Sequence, residues 1–399
     1  MPVALITGTS TGIGRETALH FARQGYRVFA GARSPAAVEE HPNIIAVKLD
    51  VDQDESVREA VDRVWREAGV IDVLVNNAGV GFAGAVEYAP LEKVRATFET
   101  NFYGAVRMMQ AVLPSMRERH SGTIVNVTSI MGHLTLGCHA FYAATKFALA
   151  AVSESLAIEI KPFGVRVAII EPGVILTPIW NKAEALMPEG HPYGLAMGRL
   201  WRLFEAQLAD GTMPDAVARA IYGAVHTDEP KLRYSVGADA EVMAPARDRL
   251  SAAEWEDLQS EPDEETFLAR AKEVFGVDLY NAPSLNARRR ARQAVTAPGL
   301  RNLRRIASDI TKYRLGKKCN AAGWSDASQA CLSGQCTIRR FPSRYRNERL
   351  IRCEKRELSA FLRGQGTKGP SYVSCVKVRC CHTRAVAKQG GDGQYWRAI

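Results

Sequence analysis

The chain of 399 residues is long enough for more than one domain, and its charge separates two parts at about residue 281. Residues 1–281 carry 26 Lys and Arg against 37 Asp and Glu, whereas residues 282–399 carry 26 against 6. Because only Cys138 of the eight cysteines lies in the first part, a disulfide framework is excluded there and we expect a reducing, cytoplasmic location. No run of about 18 apolar residues occurs, and no basic segment precedes an apolar one at the start, so we expect neither a membrane span nor a signal peptide.

Short β-branched runs alternate with helix-length segments in the first part of the chain. The predicted strands cover residues 3–7, 27–32, 44–49, 72–77, 123–129, 165–170 and 233–236. The predicted helices cover residues 13–24, 54–68, 91–118, 140–161 and 214–226. Several strands are apolar at successive positions, as in strands that are covered on both faces. The pattern predicts an α/β fold with a Rossmann-type, doubly wound, mainly parallel sheet of seven strands, in one domain over residues 1–281.

The first strand runs directly into TGTSTGIG, a segment that contains Gly8, Gly12 and Gly14. Glycines let the backbone turn sharply and approach a phosphate closely, and the following helix offers free N–H groups at its positive dipole end. The segment therefore predicts a dinucleotide site. The alternative is a glycine-rich turn that only permits tight packing.

The end of the second strand indicates which dinucleotide is bound. An acidic side chain there would bind the ribose 2′-hydroxyl of NAD, whereas a basic one accommodates the 2′-phosphate of NADP. The sequence VFAGARSP places Arg33 at this point, and no carboxylate follows before Glu39. A guanidinium suits a phosphate partner, so we predict NADP(H) over NAD(H), with a solvated Arg33 as the alternative. Asp50, after the third strand, could accept a hydrogen bond from the adenine amino group or could be an ordinary strand-end or capping aspartate.

Residues 177–211 depart from the alternating pattern. This apolar stretch carries four large aromatic residues, Trp180, Tyr193, Trp201 and Phe204. Because α/β folds place ligand-binding insertions after strands, we predict that it forms a substrate lid. The alternative is an ordinary pair of amphipathic helices packed on the sheet.

Further motifs follow in order along the chain. They are NNAG (76–79), TNFYG with Asn101, NVTSIMG with Ser129, FYAATKFALA with Tyr142 and Lys146, and EPGVILTP (171–178). Tyr142 and Lys146 are four residues apart, so on a helix they would share one face. Together with TGTSTGIG, these motifs resemble the short-chain dehydrogenase/reductase family over residues 1 to about 245. The segments YRVFAGAR, NFYGAVRMMQAVLPSM and FYAATKFALAAVSESLA are most similar to the branch of that family that contains hydroxysteroid and retinol dehydrogenases.

The resemblance implies a role for each matched residue. The catalytic residues would be Asn101, Ser129, Tyr142 and Lys146. The cofactor contacts would be Gly8, Ser10, Gly12, Ile13, Gly14, Arg33, Asp50, Val51, Asn77, Ala78, Gly79, Tyr142, Lys146, Pro172, Gly173 and Thr177. By the same resemblance, the chain would pair through helices 91–118 and 140–161 into a homodimer or homotetramer.

The chemistry explains these residue types. Hydride transfer to a ketone develops negative charge on oxygen, which requires a proton donor within hydrogen-bond reach. Free tyrosine has a pKa of about 10, and a nearby Lys146 cation is expected to lower the pKa of Tyr142. Ser129 would donate to the substrate oxygen. The family resemblance further implies that Asn101 binds a water that links Lys146 to solvent. His133 and His139 are expected to be pocket-wall or surface residues.

The predicted pocket is apolar. Its expected wall residues are Met131, Leu134, Leu136, Cys138 and Phe141, together with the segment around Trp180 and Trp201. Such a wall favours a lipophilic ketone, aldehyde or secondary alcohol, for example a steroid, a retinoid or a long-chain molecule. No single residue selects among these substrates.

Residues 282–399 have a different composition. Leu, Ile, Val and Phe contribute 20 of these 118 residues, and the charge is strongly positive, which predicts a disordered tail. A readthrough or shifted-frame translation with no selected function would produce such a tail. One alternative is a zinc site built from Cys331, Cys336, Cys375, Cys380, Cys381 and His382. The 38-residue gap between the two Cys-x4-Cys pairs and the lack of flanking fold signals argue against it, so we expect no metal. The other alternative is a basic arm that binds nucleic acid or anionic lipid.

The sequence therefore predicts an NADP(H)-dependent oxidoreductase that interconverts a lipophilic ketone or aldehyde and the corresponding alcohol. The alternative from another class is a non-catalytic dinucleotide-binding regulator whose basic tail binds nucleic acid. The complete set of catalytic residue types favours the enzyme.

Overall fold

The computed structural model describes residues 1–181, 184–186, 188–209 and 211–281, and five strand segments within residues 336–398. The chain divides into two units, Met1–Asn302 and Leu303–Ile399. The predicted domain boundary after residue 281 falls where the continuous description ends, so its position remains a prediction. Each unit is considered by itself below.

The first unit is built on a parallel sheet of seven strands. The strands are β1 (Val3–Thr7), β2 (Arg27–Ala32), β3 (Ile44–Lys48), β4 (Val73–Asn76), β6 (Gly122–Val127), β7 (Val165–Pro172) and β9 (Arg233–Val236), and β5 (Phe82–Ala83) and β8 (Glu184–Ala185) form a separate small pair. The sheet order is β3-β2-β1-β4-β6-β7-β9. Leu5 lies opposite Phe29 on one side and Leu74 on the other. The predicted Rossmann-type sheet is confirmed.

Helices cover both faces of this sheet. They are α1 (Gly12–Arg23), α2 (Asp54–Ala68), α3 (Leu91–Phe98), α4 (Gly104–Glu118), α5 (Ala140–Ile160), α6 (Gly194–Leu208), α7 (Pro214–His226), α8 (Ala240–Asp248), α9 (Ala252–Ser260) and α10 (Glu264–Phe275). Leu5 packs with α2, α4 and α5, while Ile6, its neighbour in the strand, packs with α1 and α7. Strand residues therefore bury alternate side chains on opposite faces, which explains why both positions are apolar.

The predicted single helix over 91–118 is interrupted. Residues Glu99–Tyr103 form a short π-helical segment between α3 and α4. Asn101 lies in this segment and is 1% exposed. A π-bulge changes the direction of side chains relative to a regular helix, and here it turns Asn101 toward the interior.

A third layer of helices, which the strand and helix prediction did not include, covers the carboxyl edge of the sheet. Helices α6, α8, α9 and α10 share a buried apolar cluster that includes Phe204, Trp255 and Phe267. Two start signals were present in the sequence: Ser251 and Glu254 form a capping box, and Asp263 caps α10. These helices enclose the space above the sheet.

The described part of the second unit is a separate sheet. Its strands are β10 (Cys336–Arg339), β11 (Leu350–Cys353), β12 (Lys377–Cys380), β13 (Thr383–Gly390) and β14 (Gly393–Ala398), in that spatial order. No strand was predicted in this part of the chain. Residues 282–335 and the segments between these strands lie outside the described residues. The predictions of disorder, zinc binding and nucleic-acid binding fall largely there.

One described helical stretch, Ala140–Phe163, is long and apolar enough to cross a membrane by length and composition. This stretch comprises α5 and the 3₁₀ turn after it. It packs on the sheet through Leu149 and Leu156 and carries the buried Lys146. It is therefore accounted for as a core helix of the first unit.

Candidate active site

A cleft of about 390 Å³ opens at the carboxyl ends of the parallel strands. It lies where the strand order reverses at β1, the position at which doubly wound sheets bind ligands. Sixteen of the predicted site residues line it: Gly8, Ser10, Gly12, Ile13, Arg33, Asp50, Val51, Asn77, Ala78, Gly79, Ser129, Tyr142, Lys146, Pro172, Gly173 and Thr177. The two that do not are Gly14 and Asn101, which lie directly behind the wall.

The glycine loop has the geometry that an anion site requires. Gly8 and Gly12 have φ values of 69° and 61°, which favour glycine. A Cβ at Gly14 would lie well under 3.0 Å from the carbonyl oxygen of Gly8, so only glycine allows α1 to approach β1 so closely. Helix α1 has no side-chain cap and no acidic residue in its first turn. Its N–H groups and positive dipole end are therefore available to a phosphate.

Thr7 and Asn77 hold this loop against the NNAG segment. The hydroxyl of Thr7 accepts hydrogen bonds from the backbone N–H groups of Asn77 and Ala78, each at 2.9 Å. The Asn77 side chain donates to the carbonyl oxygens of Thr7 and Gly8 at 2.9 and 3.2 Å. Thr7 was not among the predicted site residues. Its position at the end of the buried strand β1, two residues before Thr9 of the glycine loop, was the signal that could have identified it.

The other end of the cleft wall carries one cation and two carboxylates. Arg33 is exposed at the cleft edge and forms no ion pair with a described residue. Asp50 accepts a hydrogen bond from the backbone N–H of Asp52 at 3.3 Å, so it also serves the strand-end turn. One oxygen of Asp52, Oδ1, is buried without a described hydrogen-bond partner. These groups fit an adenosine 2′-phosphate beside Arg33 and an amino group beside the carboxylates.

Ser129, Tyr142 and Lys146 are brought together on one wall. The Lys146 Nζ atom donates to the carbonyl oxygen of Val127 at 3.1 Å and lies 5.7 Å from the centre of the Tyr142 ring. The Ser129 hydroxyl donates to the carbonyl oxygen of Pro172 at 3.4 Å and accepts from the N–H of Met131 at 3.1 Å. A strand end and one helix face therefore supply all three groups.

The electrostatics of this wall differ from the expectation. Burial raises the pKa of Tyr142, and a hydrogen bond with Ser129 acts in the opposite direction. Burial also lowers the pKa of Lys146 to about 8. The predicted lowering of the Tyr142 pKa by Lys146 is therefore wrong for the protein alone, because both groups lose hydration and the ammonium lies beside the ring face. The phenol is protonated at neutral pH.

Asn101 is fixed by its neighbours. Its Oδ1 accepts from the N–H of Val80 at 2.8 Å, and its amide donates to the carbonyl oxygen of Val80 and the hydroxyl of Thr145 at 2.9 and 3.0 Å. Thr145 lies on α5 between Tyr142 and Lys146. Asn101 therefore links the π-helical segment Glu99–Tyr103 to α5, the helix that carries Tyr142 and Lys146. Its role in a water relay remains a prediction.

The remaining wall of the cleft is apolar. It is lined by Phe82, Ala83, Ile130, Met131, Val174, Ile179, Trp180, Trp201, Leu203, Phe204 and Met243. Of the predicted wall residues outside the lid, only Met131 lines the cleft. Leu134, Leu136 and Cys138 are instead buried in the adjacent helical core, and Phe141 stacks on Phe82. In the predicted lid, Tyr193 lies away from the cleft and bonds to Glu87.

The two histidines occupy different settings. His139 lines the cleft and stacks on Tyr142 with ring centres 4.8 Å apart. Burial lowers the pKa of His139 to about 4, so its ring is neutral at pH 7. His133 lies outside the cleft, and its Nε2 is 2.7 Å from Asp248 Oδ1. Neither is placed as a proton donor to the cleft, in agreement with the expectation. The described residues contain no cluster that could hold a metal ion.

Comparisons with known proteins agree with this geometry. A family model described as short chain dehydrogenase matches residues 2–187. The 3-ketodihydrosphingosine reductase of Bacteroides thetaiotaomicron is 36% identical over 243 residues, which cover 60% of this chain and 90% of that protein. Retinol dehydrogenase 8 of Bos taurus is 38% identical over 249 residues, which cover 57% of this chain and 79% of that protein.

The fold is also similar to that of a solved structure with a bound dinucleotide. The short chain dehydrogenase from Burkholderia cenocepacia in complex with NADP is 26% identical, with a TM-score of 0.51, and the match covers 67% of this chain and 96% of that one. The matched relatives, the seven-stranded parallel sheet and the order of the motifs lead to one conclusion. The chain belongs to the short-chain dehydrogenase/reductase family, whose members act on CH–OH groups.

Proposed function

We propose that the protein is an NADP(H)-dependent oxidoreductase that interconverts a lipophilic ketone or aldehyde and its alcohol. The observation that carries the proposal is the meeting of Ser129, Tyr142 and Lys146 on one wall of a cleft with a glycine loop at one side and an apolar wall at the other. A hydroxyl, a phenol and an ammonium beside an uncapped helix N-terminus suit carbonyl reduction next to a bound dinucleotide.

The residues would share the chemistry as follows. The bound dinucleotide supplies or takes up the hydride. Tyr142 donates its proton to the oxygen of the substrate as negative charge develops there, while the Ser129 hydroxyl stabilises the same oxygen. Lys146 holds the ribose hydroxyls and stabilises the phenolate that Tyr142 becomes. The raised pKa of Tyr142 keeps the phenol in the acid form that reduction requires, and proton transfer is still favourable because an alkoxide is a much stronger base than a phenolate.

NADP(H) is preferred over NAD(H) in this proposal because of the charge at the end of β2. Arg33 is exposed and unpaired among the described residues, whereas Arg15 on α1 is held by Glu39 through two hydrogen bonds. Arg33 is thus the cation that remains available for a 2′-phosphate.

The lipophilic substrate is inferred from the apolar wall. Trp180, Trp201 and Phe204 form an aromatic cluster, in which the ring centre of Phe204 lies 4.8 Å from that of Trp180 and 5.8 Å from that of Trp201. His139 adds a neutral ring beside Tyr142. Such a wall favours an apolar chain or ring system over a sugar or a charged acid. Two relatives are named for retinol and 3-ketodihydrosphingosine, both of which have long apolar portions.

The setting of the enzyme forms part of the proposal. We expect a homodimer or homotetramer, because α5 leaves Phe147 and Ile158 exposed at 39% and 76%. A cytoplasmic location is consistent with the single cysteine of the first part, Cys138, which is buried and free.

The test is a turnover assay of the full chain with NADPH and with NADH. A panel of long-chain ketones, retinal and ketosteroids would be compared with polar carbonyls such as sugars, and loss of reduced-nicotinamide absorbance would be followed. We expect turnover of apolar carbonyls with NADPH. Tight NADPH binding without turnover of any carbonyl, together with a salt-sensitive shift of DNA, would favour the dinucleotide-binding regulator instead.

A further inference from the structure

A buried carboxylate lies at the edge of the cleft and has no role in the chemistry described above. Asp239, between β9 and α8, is 4% exposed and lines the cleft. No described cation lies within ion-pair distance of it. An unpaired buried carboxylate is costly unless backbone groups compensate for lost hydration. The partners of Asp239 therefore indicate what it does.

Asp239 accepts hydrogen bonds from the backbone of a different element. Its Oδ2 accepts from the N–H of Val174 at 2.7 Å, across 65 residues of sequence. Asp239 has helical backbone angles and makes no side-chain capping bond to α8. Its specific partner is thus the turn after β7, and not its own helix.

Two glycines make room for this carboxylate. A Cβ at Gly173 would lie well under 3.0 Å from both oxygens of Asp239, and one at Gly237 would also lie under 3.0 Å from Oδ1. Gly237 has a φ of 112°, which favours glycine. The N–H of Gly173 donates to the carbonyl oxygen of Val236 at 2.9 Å, which ties the same turn to β9. The absence of a side chain at Gly173 is therefore matched to the presence of Asp239.

The turn held in this way, Pro172–Val174, joins two parts of the site. All three of its residues line the cleft. The carbonyl oxygen of Pro172 accepts from the Ser129 hydroxyl at 3.4 Å, so the turn also orients the catalytic serine. A displacement of the turn would move Ser129 and the cofactor-facing surface together.

We propose that Asp239 is a positioning residue, whose carboxylate fixes the Pro172–Val174 turn and thereby sets where the nicotinamide end of the cofactor docks relative to Ser129. The proposal rests on the proposed oxidoreductase function, because the docking surface matters only if a dinucleotide binds there. It does not place Asp239 in contact with reacting atoms.

The test compares Asp239→Ala, Asp239→Asn and a matched control, Asp263→Asn. Asp263 is also an aspartate whose side chain accepts a backbone N–H at a helix start, but it is exposed and lies outside the cleft lining. Three readouts are used: amide hydrogen exchange of residues 172–176 without cofactor, the Kd for NADPH, and kcat with KM for the best ketone. The first two do not depend on turnover.

Asp239→Ala should speed amide hydrogen exchange selectively in residues 172–176. It should weaken NADPH binding by about tenfold or more, as expected for loss of a charged hydrogen bond. It should also lower kcat by a larger factor than it raises KM for the ketone. Asp239→Asn retains one acceptor oxygen for Val174 and should stay closer to the wild type, and Asp263→Asn should change none of the three. The proposal is overturned if Asp239→Ala matches the control, if its exchange rises evenly across the domain, or if Asp239→Asn is as defective as Asp239→Ala.

A second pair of variants keeps the test decisive if Asp239→Ala folds poorly. Gly173→Ala should by itself speed exchange in the turn, because its Cβ displaces the carboxylate. In combination with Asp239→Ala, the same change should cost less, and strictly additive effects would contradict the fit between the two residues. An inactive wild type that still binds NADPH would defeat the proposed function but leave the exchange and binding results to decide the role of Asp239.

Discussion

Replacement of Tyr142 by Phe removes one oxygen atom from the centre of the site. The ring should stay in place, because it stacks on His139 with ring centres 4.8 Å apart, and Lys146 keeps its hydrogen bond to Val127. Ser129 keeps its contacts with Met131 and Pro172. The free energy of unfolding should therefore change by no more than about 1 kcal/mol, and the Kd for NADPH should be nearly unchanged.

Catalysis should respond quite differently. The proton donor is lost while the Ser129 hydroxyl and the cofactor site remain, so kcat should fall by about 10²–10⁴, the usual contribution of a general acid. This range corresponds to about 3–5 kcal/mol of transition-state stabilisation. The KM for the ketone should change little, since the phenol contributes mainly when charge develops on the substrate oxygen.

The assay is the NADPH-dependent turnover of the best ketone, with cofactor affinity measured separately by fluorescence titration. Tyr222→Phe is the matched control, because it removes the same atom from a ring on α7 that packs against α1 and does not line the cleft. The control should retain full activity. A Tyr142→Phe variant with kcat within about threefold of the wild type would refute the assignment of Tyr142 as the proton donor.

Four other results are expected. Arg33→Asp should lower the ratio of kcat/KM for NADPH to that for NADH, because it places a carboxylate beside the 2′-phosphate, and an unchanged ratio would mean that Arg33 does not contact the ribose. Deletion of residues 282–399 should leave kcat/KM within about twofold and the Tm within a few degrees of the full chain, because every described site residue lies before residue 282. An insoluble or inactive 1–281 chain would reject the domain boundary. Ile158→Glu should weaken the oligomer in light scattering, whereas a wild type that is monomeric at all concentrations would contradict pairing through α5. Burial raises the pKa of Asp239 from 3.8 to about 6, so between these pH values the carboxyl takes up a proton on folding. The free energy of unfolding of the wild type relative to Asp239→Asn should therefore fall by about 3 kcal/mol as the pH rises from about 4 to about 6, and then stay constant. A difference that does not vary with pH in denaturant titrations would reject this pKa.

Much of the first unit followed from local patterns. The β-branched runs and the spacing of helices predicted the seven strands within a few residues, because each element carries its own periodicity. The glycine loop was identifiable for a related reason, because its backbone conformation allows few other residue types. Ser129, Tyr142 and Lys146 were identified through the order and spacing of the motifs that resemble the short-chain dehydrogenase/reductase family, and their chemistry explains those residue types. These features depend on neighbours in sequence, or on one helix face, and so remain visible without a structure.

Other features depend on contacts between segments that are distant in sequence. The pairing of Asp239 with Val174 spans 65 residues, and nothing in the short segment VGADA indicates it. The apolar residues Leu134 and Leu136 were expected in the cleft but are buried beside it, because hydrophobicity predicts burial without specifying which side of a wall a residue faces.

The sequence by itself determined the family, the sheet and the chemical groups of the candidate site, since these are written in periodicity and in residue types with few substitutes. Only the tertiary structure decided the electrostatics, because a pKa depends on how completely the surrounding protein removes water. Tyr142 and Lys146 are four residues apart in any helix, which suggested a lowered pKa for the phenol. Burial by α6, the strand ends and the helical layer above them instead raises the pKa of Tyr142 and lowers that of Lys146 to about 8.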